Sequence, residues 1–249
     1  NMLAIIGGTG MTQLACLEIS HRQVIRTPYG EPSGPLTFGR ISNHEIVFLA
    51  RHGYGHTIPP HAVNYRANLW ALQSFQPTRV VSVASVGGIR ADFTPGMIAV
   101  PDQIIDYTHD RKFTYFDGSD RAVTHIDFTE PYCPVTRRHL LEAAKRANEK
   151  IIDGGVYAAT QGPRLETAAE INRLERDGAD MVGMTGMPEA ALAKELGLCY
   201  ATLAVVANYA AGRGTSAHII RLEDVHAVLE KAMVSVRNIL EHVVELDDA

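Results

Sequence analysis

The stretch Arg79-Val80-Val81-Ser82-Val83-Ala84-Ser85-Val86, closed by Gly87-Gly88, decides the fold class. Its valines are β-branched and suit a pleated strand. Its apolar residues run on rather than alternating with charged ones, so the strand is covered on both faces. Leu3–Ile6, Glu45–Ala50, Gly155–Thr160, Met181–Met184 and Tyr200–Ala207 repeat the pattern on a shorter scale. Helical patterns lie between them. Ala62–Phe75 carries a stripe through Val63, Ala67, Trp70 and Ala71, and Val135–Ala147 follows a proline. Thr167–Leu174 has Glu170 placed for a capping box. Pro188 opens a helix that Gly197 closes. Leu222–Leu246 sets Leu222, Val225, Leu229, Ala232, Val236, Ile239 or Leu240, and Val243 on one face. The pattern predicts one α/β domain over residues 2–249, a central mixed, mainly parallel sheet flanked by helices. No repeat, low-complexity tract or linker divides the chain.

Composition narrows the function. Apolar residues are 46% and charged residues 20%, which excludes a disordered chain, a collagen-like chain and a disulfide scaffold. The 23 basic and 28 acidic residues give a net charge of −5, which disfavours a general nucleic-acid binder. No apolar run approaches the roughly 18 residues that span a bilayer. The run Leu3–Ile6 is too short for a signal peptide and lacks a basic flank. Cys16, Cys133 and Cys199 are far apart and form no CxxC, so a reduced, cytoplasmic protein is expected.

In such folds the loops leaving the carboxyl ends of strands build the site. Gly7-Gly8-Thr9-Gly10 lets backbone N–H groups approach an anion. It lacks the third glycine of a dinucleotide fingerprint and has no P-loop lysine, which argues against a nicotinamide-cofactor oxidoreductase. A small phosphate pocket or a tight turn remains. Arg51-His52, directly after a strand, offers donors to an oxyanion. A metal site at His52, His56 and His61 is not expected, because HExxH is absent and Pro59-Pro60 breaks any helical register. Ala84-Ser85-Val86-Gly87-Gly88 and Gly183-Met184-Thr185-Gly186 are further small-residue strand ends. Glu166 either accepts from a ligand or complements a helix terminus. Asn208 either reads a ligand or makes a turn.

Taken in order, Ile6–Gly10, Thr27-Pro28-Tyr29-Gly30-Glu31-Pro32-Ser33, Leu49–Gly53, His56–Pro60, Val63–Asn68, Gly162-Pro163-Arg164 and Met184-Thr185-Gly186-Met187-Pro188-Glu189 resemble the trimeric purine nucleoside phosphorylases, most closely their 5′-methylthioadenosine phosphorylase branch. The resemblance covers essentially the whole chain. It implies phosphorolysis of an N-glycosidic bond through an oxocarbenium-like transition state, without a covalent enzyme intermediate. It implies no cofactor beyond inorganic phosphate as co-substrate, and a homo-oligomer, a trimer or a dimer of trimers. Carried over by residue, it implies a phosphate site of Thr9, Arg51, His52, Ser85 and Thr185, with backbone from Gly8 and Ala84. Ala84 stands where the family usually has Thr or Asn. Met184 is expected against the ribose. Leu165 replaces the usual Phe on the base. His56, with His125 from a neighbouring subunit, is expected at the rim of the sugar pocket.

Departures from that pattern speak to the substrate. The adenine-specific branch carries Asp-x-Asp at the position of Asn208-Tyr209-Ala210. Asn208 matches instead the 6-oxopurine phosphorylases, in which the amide pairs with O6 and N7. Glu166 also matches that group, because a carboxylate accepts from N1–H and is repelled by the unprotonated N1 of adenine. Asn208 and Glu166 are therefore the expected catalytic pair. Leu222 stands where ordinary inosine phosphorylases place a His for the 5′-hydroxyl, and Val225, one turn on, is expected beside it at the substrate. Leucine packs instead on a methylthio group, worth roughly 1–2 kcal/mol. These expectations combine into 5′-methylthioinosine as substrate, giving hypoxanthine and 5-methylthioribose 1-phosphate. The alternatives are a methylthioadenosine phosphorylase, a general 6-oxopurine nucleoside phosphorylase and a non-catalytic nucleoside-binding protein.

Overall fold

The computed structural model describes residues 1–118 and 120–247. Ser119, Asp248 and Ala249 of the expected domain lie outside the described residues. Strand β5 (Arg79–Gly88) is the centre of the sheet. Its first half pairs in parallel with β1 (Met2–Gly7), and nearly its whole length pairs in parallel with β11 (Tyr200–Tyr209). Its final glycines pair antiparallel with β10 (Met181–Gly183). From β1 the sheet continues through parallel β4 (His44–Ala50) to the antiparallel β3 (Leu36–Ile41) and β2 (Glu18–Gln23). From β10 it continues in parallel through β9 (Val156–Ala159) to β7 (Gln103–Asp106). β6 (Ile98–Val100) lies antiparallel to β11, and β8 (Ile151–Asp153) parallel to β6. The expected mixed, mainly parallel sheet is the one observed.

Side-chain alternation sorts the core into two layers. Ile5, Val81, Val83, Leu203 and Val205 face one side, under α2 (Pro134–Arg146) and α5 (Leu222–Asp247). Ala4, Ile6, Val80, Ala204 and Val206 face the other, with α1 (Tyr65–Gln73) and α4 (Gly186–Glu195). This is why the sequence runs are continuously apolar. A third, smaller layer packs Ile171 and Leu174 of α3 (Ala168–Arg176) on Ala158 and Val182.

Local signals explain the element ends. Thr167 accepts from the Glu170 backbone N–H at 3.0 Å, and the Glu170 carboxylate accepts from that of Thr167 at 2.8 Å, so the expected capping box forms. Met187 is extended (φ −127°, ψ 139°), as a residue before proline prefers, so the regular part of α4 starts at Pro188. Gly197 follows its end at φ +72°. The helix expected from Ala62 begins later. Asn64 caps α1 by accepting from Ala67 N–H at 3.0 Å, and Pro60–Ala62 forms a separate 3₁₀ turn.

One strand goes unannounced by the sequence, and one expectation needs correction. β2 is exposed at every residue, so no hydrophobic pattern announces it; it exists through its ladder with β3. The cysteines are not all thiols: Cys133 and Cys199 form a disulfide across 66 residues, and Cys16 is free. Cys133 precedes α2 and donates its backbone N–H to the Tyr200 carbonyl, which sets it beside the start of β11. Long-range pairing of this kind leaves no mark on sequence spacing. No helix among the described residues is long and apolar enough to cross a membrane.

Candidate active site

A cavity of about 590 Å³ opens where β5, β10 and β11 end. It collects most of the residues singled out from the sequence: Thr9, Arg51, His52, His56, Ser85, Leu165, Glu166, Met184, Thr185, Asn208, Leu222 and Val225 all line it. Two do not. Ala84 is buried in β5 opposite Ala204 and is not among the walls. Strand alternation turns its side chain away from the face that Ser85 presents. His125 is exposed and lies outside the cavity of its own chain.

The end where phosphate is expected rests on a buried ion pair. Arg51 is 1% exposed, yet it lies at the mouth of β4 beside the first glycine loop. Its Nε donates to Glu189 Oε2 at 2.6 Å and its Nη2 to Glu189 Oε1 at 2.8 Å. Nη2 also donates to Ser82 Oγ at 2.6 Å, and Nη1 to the Val83 carbonyl at 3.1 Å. Four of the five guanidinium hydrogens are thus committed within the protein, and one on Nη1 is left over. Glu189 receives two further bonds, from Ser82 Oγ and from the Tyr200 hydroxyl at 2.7 Å. Burial alone would neutralise both groups. Their mutual attraction and hydrogen bonds outweigh it, keeping Arg51 above and Glu189 below their ordinary values. Gly8 is required here: a Cβ would sit 2.8 Å from Arg51 Nη1 and 2.5 Å from the Val83 oxygen.

The sequence reading missed Glu189, Ser82 and Tyr200. One signal was available: Glu189 interrupts the apolar run Met187–Ala193, and a carboxylate in a buried face needs a partner. Arg111 was missed as well. It is 7% exposed and donates to the Met184 and Met187 carbonyls at 2.7 and 2.8 Å and to the Gln161 carbonyl at 2.9 Å. It thereby ties the loop before Gly162 to the end of β10. Gly162, at φ +61°, lets Met184 lie against it, where a Cβ would collide with the sulfur.

At the other end, Glu166 precedes the helix cap rather than serving it. Its Oε2 accepts from the Thr160 hydroxyl at 2.8 Å, and it faces the cavity. Burial raises its pKa, opposed by the Thr160 bond. Asn208 reaches the cavity through a bulge: Val206 pairs with Val86, then Asn208 with Gly87, leaving Ala207 as the extra residue. Its Nδ2 donates to the Tyr209 carbonyl at 2.7 Å. Leu222 is 59% exposed in the first turn of α5 and lines the cavity, unlike the core residues Leu229 to Val243 of the same helix. Between the ends, Thr9 Oγ1 and His56 Nε2 lie 3.1 Å apart and Met184 forms a wall. Thr57, Pro59, Pro60 and Pro163 are among the other lining residues. Among the described residues no group of three or more His, Cys, Asp or Glu could hold a metal ion.

One cavity thus joins an anion end, an amide and a carboxylate, and an apolar edge. Comparison with known proteins agrees with that chemistry: the Phosphorylase superfamily profile matches residues 2–245. The chain belongs to the phosphorylase superfamily. A Xanthomonas campestris protein named as a probable S-methyl-5′-thioinosine phosphorylase is 53% identical over 221 residues, 89% of this chain and 88% of its own. A Pseudomonas syringae protein of the same name is 50% identical over 240 residues, 96% and 97% of the two chains. The 6-oxopurine nucleoside phosphorylase of Pyrococcus furiosus is 46% identical over 84% of this phosphorylase and 80% of its own chain. Among solved structures, methylthioadenosine phosphorylase from Schistosoma mansoni in complex with adenine superposes with a TM-score of 0.94 at 32% identity, covering 98% of this chain and 91% of that one.

Proposed function

We propose that this phosphorylase cleaves 5′-methylthioinosine with inorganic phosphate, giving hypoxanthine and 5-methylthioribose 1-phosphate. One observation carries the reading: Glu166 and Asn208 share a cavity with Leu222, and residue 210, which lines the same cavity, is alanine. The base end then holds an acceptor for N1–H and an amide for O6 and N7, with no carboxylate at 208 or 210 to favour adenine. The sugar edge holds an apolar side chain where a 5′-hydroxyl would need a partner. The names of the two bacterial relatives support the same substrate.

In the reaction a phosphate oxygen attacks C1′ while the C1′–N9 bond breaks, and the bonding pair leaves with the base. Thr9, Ser85, Thr185 and the free Arg51 hydrogen hold the phosphate. Met184 supports the ribose, and Leu165 covers the base less fully than an aromatic ring would. As the bonding pair moves onto the base, N7 takes a proton from solvent water and Asn208 Oδ1 accepts from the resulting N7–H, while Glu166 accepts from the N1–H already present; both act by stabilising the leaving group. The enzyme works as a homotrimer or a dimer of trimers, in which His125 of a neighbouring subunit joins His56 at the sugar rim. No cofactor is needed.

Hypoxanthine released only when phosphate is present tests the reaction class. The pH profile tests Glu166. The ionised carboxylate is the acceptor, so kcat/KM for the 6-oxo substrate falls as pH drops through its raised pKa, above the ordinary glutamate range. Glu166→Gln removes that acidic limb and lowers kcat/KM by roughly 100-fold or more. A variant that keeps the limb assigns it to another group.

A further inference from the structure

One side-chain bond closes the loop that runs from Thr160 to Glu166. Thr160 follows β9, and its backbone N–H donates to the Gly183 carbonyl at 2.8 Å, carrying the β9–β10 pairing one residue further. Its own carbonyl accepts from Arg111 Nη2 at 3.4 Å. The backbone of Thr160 is thus held on both sides. Its hydroxyl has one hydrogen to give and two acceptors in reach, Glu166 Oε2 at 2.8 Å and the Gly183 carbonyl at 3.4 Å. The shorter, charge-assisted bond takes it. Glu166 is half-buried, and among the described residues no other side chain donates to it. Arg164, two residues before it, is bound to Glu170 at 2.7 and 3.1 Å instead. Glu166 also borders a second, smaller cavity with Tyr107, His109 and Arg173. These are engaged elsewhere, His109 with Asp110 and the other two with Asp177. At the opposite end of the active cavity, beside His52 and His56, Arg51 is balanced by Glu189. Burial raises the Glu166 pKa most, and the Thr160 bond is the strongest influence lowering it; Glu170 and Arg164 act more weakly and in opposite senses.

We propose that Thr160 is a positioning residue that sets base selectivity: its hydroxyl occupies Glu166 Oε2, so that Oε1 is left to face the purine, and faces it as a hydrogen-bond acceptor. A 6-oxopurine presents N1–H to that oxygen, whereas a 6-aminopurine presents a lone pair at N1 and is refused. Without the hydroxyl, Oε2 is a charged oxygen with no donor, and the carboxyl takes a proton more readily. A protonated carboxyl donates to N1 of a 6-aminopurine, so it accepts the base that the ionised form rejects. Thr160 is not among the walls of the active cavity and acts through Glu166. Its substrate is that of the proposed phosphorolysis, on which this role rests.

Thr160→Val removes the hydroxyl at nearly constant shape, and Thr160→Ser keeps it. In the valine variant the acidic limb of kcat/KM for methylthioinosine is expected to move up by about one pH unit, because the ionised acceptor is lost at higher pH once its donor is gone. The kcat/KM ratio of methylthioinosine to methylthioadenosine at about pH 6 narrows by about tenfold. KM for phosphate stays within about twofold, which a general loosening of the cavity would not allow. The serine variant keeps both the limb and the ratio of the wild type. An unmoved limb or an unmoved ratio in the valine variant overturns the proposal. So does a serine variant that loses both, because the hydroxyl then does not suffice. If the valine variant does not fold, Thr160→Ala carries the same expectations. If the wild type releases no base with phosphate, the reaction assignment is what fails. NMR titration of the Glu166 carboxyl carbon then decides the role of Thr160: an upward shift of about one unit in the valine variant supports it, and no shift overturns it.

Discussion

Glu189→Ala lowers the unfolding free energy by about 3–5 kcal/mol, because it strands the Arg51 charge in the interior. Arg51 and Glu189 are both essentially buried, and among the described residues no other carboxylate pairs with that guanidinium. Ser82 and Tyr200 lose their acceptor in the same stroke, each adding an unmatched polar group. Urea denaturation at matched protein concentration measures the loss. Glu189→Gln keeps the shape and one acceptor oxygen, so it destabilises less but releases the Arg51 fork. Its signature is a raised KM for phosphate with little change in KM for the nucleoside. A Glu189→Ala loss below about 1 kcal/mol contradicts the role assigned to the pair.

The double variant Asn208→Asp, Ala210→Asp shifts base preference toward adenine. Both positions line the cavity, and the Ala207 bulge aims Asn208 at its base end. A carboxylate at 208 accepts from a 6-amino group and can hold a proton for N7, whereas it repels O6. The kcat/KM ratio of methylthioadenosine to methylthioinosine is expected to rise by about 100-fold, equivalent to about 2.7 kcal/mol. Ala210 is also packed against Val182 and Ile89, so the single Asn208→Asp variant, expected to shift the ratio in the same direction, separates specificity from a packing defect. An unchanged ratio in both variants removes residue 208 from base recognition.

What the sequence made legible follows from range. β1, β4, β5 and β11 were readable because helices cover both faces, so burial imposes one continuous apolar pattern. β2 was not, since its existence depends on pairing with β3 rather than on burial. Arg51, His52 and Thr185 stand at strand ends, where position alone suggests a ligand, and the structure brings them together. Glu166 and Leu222 had ordinary explanations as a helix-terminal charge and a core residue. Thr160 binds the first and exposure excludes the second. The partners of Arg51 lie 31 and 138 residues away, and the Cys133–Cys199 pair spans 66, so no local pattern encodes them.

The central claim is the pairing of a 6-oxo base with a 5′-methylthio sugar in one cavity. Steady-state kcat/KM for 5′-methylthioinosine, 5′-methylthioadenosine and inosine, each with saturating phosphate, measures it most directly. The account predicts that methylthioinosine is the best of the three by at least about tenfold. A preference for methylthioadenosine would contradict the assignment of Glu166 and Asn208, and a preference for inosine would contradict that of Leu222.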